Sequence, residues 1–145
     1  MPRKPAVSAT PAVRRAKPAD APAVSPADTE AVAKFCAGVC WDSKAEEILV
    51  YDARANSVLA DFYVVCTGTS DPHLRALRQH LEESLKGKGV RLRHASGNPG
   101  SGWTILDFGD VLVHVFHADQ RRYYNIEELW KEYPVIHRSP DVKND

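Results

Sequence analysis

No apolar run in this sequence approaches the roughly 18 to 20 residues that a membrane-spanning helix requires, so a transmembrane protein is excluded. Cysteine is scarce: three residues, an odd number without repeating spacing, argue against a disulfide scaffold and for a reducing compartment. The apolar core of about 7 to 15 residues that marks a secretory signal is also missing from the N-terminus. Net charge is absent too, with 19 Lys and Arg against 19 Asp and Glu. That last absence is a cancellation. Residues 1–19 carry five basic side chains and no acid, whereas the following 126 residues hold 14 basic and 19 acidic ones.

At 145 residues the chain has room for one ordinary domain and a long extension. Six of the ten prolines fall within the first 26 residues, among Ala, Val, Ser and Thr and with no aromatic residue. Residues 1–25 therefore read as a disordered basic tail, because they offer too little apolar surface to offset the entropy of ordering. The same segment is Arg-containing and Ala-rich, as organellar transit peptides are. Its prolines oppose the amphipathic helix of a presequence, and a cytoplasmic location is expected over import.

Residues 26–133 read as the folded domain. Ser25 and Pro26 suit a helix start, and Val32, Phe35, Cys36, Val39 and Cys40 recur at helical spacing. Cys36 and Cys40 lie within that apolar stripe and read as core thiols rather than metal ligands. Glu47–Asp52 and Phe62–Cys66 read as strands covered on both faces. Leu74, Leu77, Leu81 and Leu85 stripe a second helix that ends at Gly87 and Gly89. Val90–His94 reads as a short edge strand and residues 95–102 as a glycine-rich loop. Strands over 103–107 and 111–117 follow, then a helical turn near 126–130, then a polar exit over 134–145. The order predicts an α/β (α+β) fold, with a mixed sheet of about five strands flanked by helices.

Chemistry-bearing constellations are weak. Gly68-Thr69-Ser70 lies between a strand and a helix, as an anion cradle would, but lacks the Lys of a P-loop and the glycines of a dinucleotide fingerprint. A nucleotidyltransferase-like enzyme would join such a turn to metal-holding carboxylates; Asp107 and Asp110 are the best available and bracket a turn. His114 and His117 point to opposite faces of a strand and cannot share one metal without a bulge. No cofactor or metal site is expected. Phe108 is the oddity. It stands where a water-facing turn usually takes Asn, Asp, Gly or Ser, so it either folds back on the sheet or waits for a partner. Trp103 opens the same hairpin, and aromatic burial of about 2 kcal/mol or more each would make both strong interface anchors.

Three stretches carry a resemblance: ILVYDARANSVLADFYVVCTGTSDPHLRAL at 48–77, WTILDFGDVLVHVFHADQRRYY at 103–124, and Leu129-Trp130. Across residues 46–130 the chain resembles the Iojap family of ribosomal silencing factors. The resemblance implies a topology similar to nucleotidyltransferases without known catalysis. It implies binding to the large ribosomal subunit through its protein fourteen, which blocks small-subunit joining and represses translation when nutrients are scarce. It also implies a homodimer when free. Partner contacts carry over onto Trp103 and Phe108, with Asp107 and Asp110 as flanking candidates for pairing with a basic protein. Phe108 replaces the Leu or Tyr of other members. An acidic body suits such a protein better than RNA phosphates, so little direct nucleic-acid contact by the body is expected.

Overall fold

The computed structural model describes residues 28–142; the basic tail, with Ser25 and Pro26, lies outside them. Helix α1 (Thr29–Asp42) starts at Asp28, whose carboxylate accepts the Ala31 N–H at 3.1 Å. Its buried face is Val32, Ala33, Cys36, Ala37 and Cys40. Strand β1 (Glu46–Asp52) pairs antiparallel with β2 (Phe62–Gly68), which is buried along its whole length. Helix α2 (Asp71–Lys86) is capped by Ser70, has Pro72 in its first turn, and buries Leu74, Leu77, Leu81 and Leu85. The hairpin β3 (His94–Asn98) and β4 (Trp103–Asp107) follows, joined by a short 3₁₀ turn over 99–101. Strand β5 (Val111–His117) then runs parallel to β2 and antiparallel to β4. Two short helices, α3 (Ala118–Tyr124) and α4 (Ile126–Leu129), lead to β6 (Val135–Arg138).

The described residues form a mixed six-stranded sheet in the order β3-β4-β5-β2-β1-β6, an α+β architecture. Helices α1 and α2 cover one face, closing a core of their own apolar stripes on Ile48, Val50, Phe62, Val64, Cys66, Leu106, Val113 and Val115. All three cysteines are buried there as free thiols. Burial pushes the Cys36 thiol up, and a hydrogen bond with Cys66 together with burial does the same for Cys40. The opposite face is covered by the much shorter α3 and α4 and by the chain that runs into β6.

Two sequence expectations need correction, and both concern edge strands. The strand expected over Val90–His94 instead begins at His94 and runs through the glycine-rich segment to Asn98, pairing His94 with Asp107 and Asn98 with Trp103. Backbone hydrogen bonds build this edge, and its side chains are largely exposed, so no apolar alternation marks it. Gly97, at φ +74°, has the Trp103 carbonyl only 2.2 Å from where a Cβ would stand. The polar exit likewise holds a sixth strand, β6, whose residues pair with Leu49, Val50 and Tyr51 of β1. Ser139 extends that pairing: its N–H donates to the Ile48 carbonyl at 2.9 Å and its Oγ accepts the Ile48 N–H at 2.8 Å.

Candidate functional site

Residue parity along β4 decides what the hairpin presents. Side chains alternate across a strand, so Trp103, Ile105 and Asp107 share one face, while Thr104, Leu106 and Phe108 share the other. Trp103 sits half-buried on the face with the short helices. Its ring stacks on Phe116 at 4.9 Å and meets Tyr124 at 4.6 Å. Its indole N–H donates to His114 Nδ1 at 3.2 Å. The remaining ring nitrogen of His114, Nε2, has no hydrogen-bond partner among the described residues. Burial holds this imidazole neutral by pulling its pKa from 6.5 to about 4.

The aromatic surface continues past His114. Trp130 stands edge-on to His114 at 4.9 Å and stacks on Tyr63 at 4.5 Å, and Tyr133 lies 5.8 Å from Tyr63. Tyr51 packs edge-on to Trp130 at 5.4 Å, and burial pushes its hydroxyl up to about 12. Beside this cluster Tyr124 is 45% exposed, Leu129 67% and Tyr123 80%. A broad aromatic floor is thus roofed by only eleven residues of helix, seven in α3 and four in α4, with apolar side chains standing out at its margin.

Arg121 anchors that roof. It is buried, pairs with Glu127 at 2.9 Å, and donates to Thr67 Oγ1 at 2.9 Å and to the Glu47 carbonyl. Glu47 lies at φ 49° where the β1–β2 register shifts, so Arg121 clamps a bulge. Sequence reasoning missed this residue, since nothing in Gln120-Arg121-Arg122 says which arginine turns inward.

The four expected contact residues separate. Phe108 is not at an exposed tip: it is 6% exposed and packs into the core under α1 and α2. Trp103 and Phe108 therefore lie on opposite faces, which their odd and even positions on one strand already require. Asp107 shares Trp103's face, but its Oδ1 accepts the Gly109 N–H at 2.7 Å and closes the turn. Asp110 is exposed, and its carbonyl accepts the N–H groups of Asp61 at 2.8 Å and Phe62 at 3.1 Å.

The nucleotidyltransferase-like arrangement does not assemble either. Ser70 follows the C-terminal end of β2, beside His117, whereas Asp107 and Asp110 adjoin the Val111 end of β5. A strand of this length separates them by about 20 Å. The Gly-Thr-Ser turn is also internally satisfied. His73 Nδ1 accepts the Thr69 N–H at 3.0 Å, its Nε2–H donates to the Ser43 carbonyl at 2.8 Å, and Ser70 Oγ accepts the His73 N–H at 3.2 Å.

With this geometry in place, comparison with known proteins is direct. A family model described as "Ribosomal silencing factor during starvation" matches residues 26–145. The chain belongs to the ribosomal silencing factor family. It is 36% identical over 106 residues to the Bacillus subtilis ribosomal silencing factor RsfS, spanning 73% of this chain and 90% of that one. It is also 32% identical over 104 residues to the chloroplastic Iojap protein of Arabidopsis thaliana, covering 72% of this chain and 43% of the longer plant protein. Among solved structures, a Bacillus halodurans protein superposes with TM-score 0.65 at 30% identity, covering 74% of this chain and 98% of that one. A Chromobacterium violaceum protein does so with TM-score 0.67 at 28% identity, covering 80% and 92%. These two bacterial proteins thus share this fold, and no helix among the described residues is long and apolar enough to cross a membrane.

Proposed function

We propose that this silencing-factor chain binds the large ribosomal subunit through its protein fourteen and blocks small-subunit joining by occupying the joining surface, repressing translation when nutrients are limiting. The observation that carries the reading is the thinly roofed aromatic face, where Tyr124 stands exposed beside Trp103 and Leu129 stands exposed next to Trp130 in the chain. Exposed apolar side chains around a rigid aromatic floor are what a protein partner desolvates most favourably. Trp103 is the inner anchor of that face. Asp107 and Asp110 flank the far end of the hairpin as acidic groups for a basic ribosomal protein, and Phe108 supports the hairpin from the core. Steric exclusion needs no catalytic group.

The test uses the exposed rim, with a circular dichroism melt to establish that the variant folds, since Tyr124 also packs on Trp103. Changing Leu129 to Glu and Tyr124 to Ala together should weaken co-sedimentation with isolated large subunits by tenfold or more. The same variant should restore subunit joining, followed by light scattering. Undiminished binding by the folded double variant would refute the assignment of this face.

A further inference from the structure

The acidic sum of the body conceals a basic flank. Between Pro72 and Gly102 the chain carries six Lys or Arg and two acids; the other described residues carry seven bases and fifteen acids. Sheet order turns this bias in sequence into a bias in space, because β3 is one edge and β6 the other. Glu46, Glu47, Glu127 and Asp141 cluster toward the β1–β6 side, where Asp141 accepts the Glu47 N–H at 3.0 Å and Glu127 pairs with Arg121.

Helix α2 presents its cations to the β3 side. His73 and His80 reach Ser43 at the end of α1, which fixes the flank of α2 that faces α1. At about 100° per residue, Arg75, Arg78 and Lys86 fall on the opposite side of the buried leucine stripe. That side borders the 99–101 turn after β3, which α2 touches. Arg91 and Arg93 are exposed on the approach to the same edge, with the Arg93 guanidinium against Gly109, and share a cleft with Asp110, whose single carboxylate leaves that end of the row net basic. Lys88 is excluded from the row, since its ammonium sits over the Phe35 ring on the α1 side at 5.5 Å.

Two features indicate what this row receives. None of its five cations forms an ion pair among the described residues, whereas five of the eight described cations outside the row do. One carboxylate, Glu82, lies within the row, four residues from both Arg78 and Lys86, and forms no ion pair with them; Glu83 is engaged by Gln79 at 3.2 Å. The large exposed apolar residues, Trp41, Val58, Leu59, Tyr123, Tyr124 and Leu129, all lie on other segments. A protein partner would need apolar anchors at the centre of its contact. Phosphates need only cations, and four of these five are arginines, whose planar fork suits phosphate oxygens. Along α2 alone the row runs about 16 Å, enough to follow a nucleic-acid backbone across several phosphates.

We propose that Arg75, Arg78, Lys86, Arg91 and Arg93 form an RNA-phosphate contact surface that orients the protein on ribosomal RNA while the aromatic face engages its protein partner. The surface is sequence-indifferent and deepens the ribosome-binding reading, on which it rests. It reverses the expectation, drawn from net charge, that the body makes little contact with nucleic acid.

The experiment measures binding of the full chain to isolated large subunits by co-sedimentation and to protein-free large-subunit ribosomal RNA by filter retention, each across a salt series. Each duplex phosphate contact contributes about 0.9 to the log–log salt slope. A variant with all five residues changed to Gln should bind both targets more weakly and lose roughly 2 to 4 of that slope. A variant with the four arginines changed to Lys should keep most of the slope, and matching circular dichroism melts establish that all variants fold. A third variant, with Arg3, Lys4, Arg14, Arg15 and Lys17 changed to Gln, separates the tail and should retain the flank-dependent slope. An unchanged slope in the five-Gln variant, or a slope that disappears wholly with the tail, overturns the proposal. Weaker binding to subunits with undiminished binding to protein-free RNA would also overturn it, by assigning the row to an acidic protein. Failure of the unaltered chain to co-sediment would refute the silencing reading itself, and the RNA arm then decides the flank independently.

Discussion

Lowering the pH from 7 to 4 acts on one buried group before the carboxylates respond. His114 lies among Trp103, Tyr63 and Trp130, accepts one hydrogen bond from the Trp103 indole, and has no other polar partner among the described residues. Burial lowers its pKa from 6.5 in the unfolded chain to about 4 in the fold. Above pH 6.5 the imidazole is neutral in both states and stability is insensitive to it. Between pH 6.5 and 4 the unfolded chain binds a proton that the native chain refuses, so stability falls as pH falls; below about 4 both states are protonated and the loss is complete. At about 1.36 kcal/mol per pH unit the full loss is roughly 3 kcal/mol, a large share of the 5 to 15 kcal/mol typical of a small domain. The window is clear of Asp52, whose carboxyl is held below the usual range by its hydrogen bond with Arg54. Urea unfolding at intervals from pH 7 to 4.5, on the unaltered protein and on His114→Phe, isolates the effect. The substitution leaves the Trp103 N–H unpaired and costs about 1 kcal/mol at every pH, but it should remove the extra slope. Contributions common to both proteins cancel in the difference between the two profiles. Parallel stability profiles for the two proteins would refute the claim that His114 is kept neutral by the fold.

Arg121→Met should lower stability by about 3 kcal/mol in urea melts, because the Thr67 hydroxyl and the Glu47 carbonyl both lose a buried donor. The exposed partner Glu127 adds little to that total, and a loss below about 1 kcal/mol would mean that Arg121 does not hold the bulge. Gly97→Ala should cost about 2 kcal/mol or more, since the new Cβ would stand 2.2 Å from the Trp103 carbonyl at a left-handed φ. Gly38→Ala, in a helix with nothing within 4 Å of the added atom, should instead stabilise by about 0.5 to 1 kcal/mol. Equal effects at the two glycines would contradict the close β3–β4 approach.

Elements that bury a periodic face were legible in the sequence. The leucines of α2 and the apolar runs of β1, β2 and β5 announce themselves because burial of their side chains is what selects them. Edge strands were not legible, because β3 and β6 join the sheet through backbone groups common to every sequence. The Ala-Ser-Gly-Asn run of β3 therefore looked like a loop, and the Val-Ile-His-Arg run of β6 like a tail. The site was half legible. Trp103 and Phe108 were singled out together, although strand parity through Asp107 puts them on opposite faces, Trp103 in the aromatic cluster and Phe108 in the helical core. Tyr63, His114 and Trp130 meet only because distant segments converge, and no local spacing records that. Net charge was the least local number, since it averages over a flank and an edge of opposite sign.

The pairing of β6 with β1 has a consequence for how the chain is made. Ile48 exchanges hydrogen bonds with Ser139, 91 residues downstream, and the Glu47 N–H donates to Asp141 across 94. During vectorial synthesis β1 emerges early and soon meets β2, but its outer edge stays open until nearly a hundred further residues have left the exit tunnel. Until then a short row of backbone donors and acceptors is available to any neighbouring strand. Strand β6 therefore acts as the closing seal on β1, and this sheet is finished only after residue 139 is free.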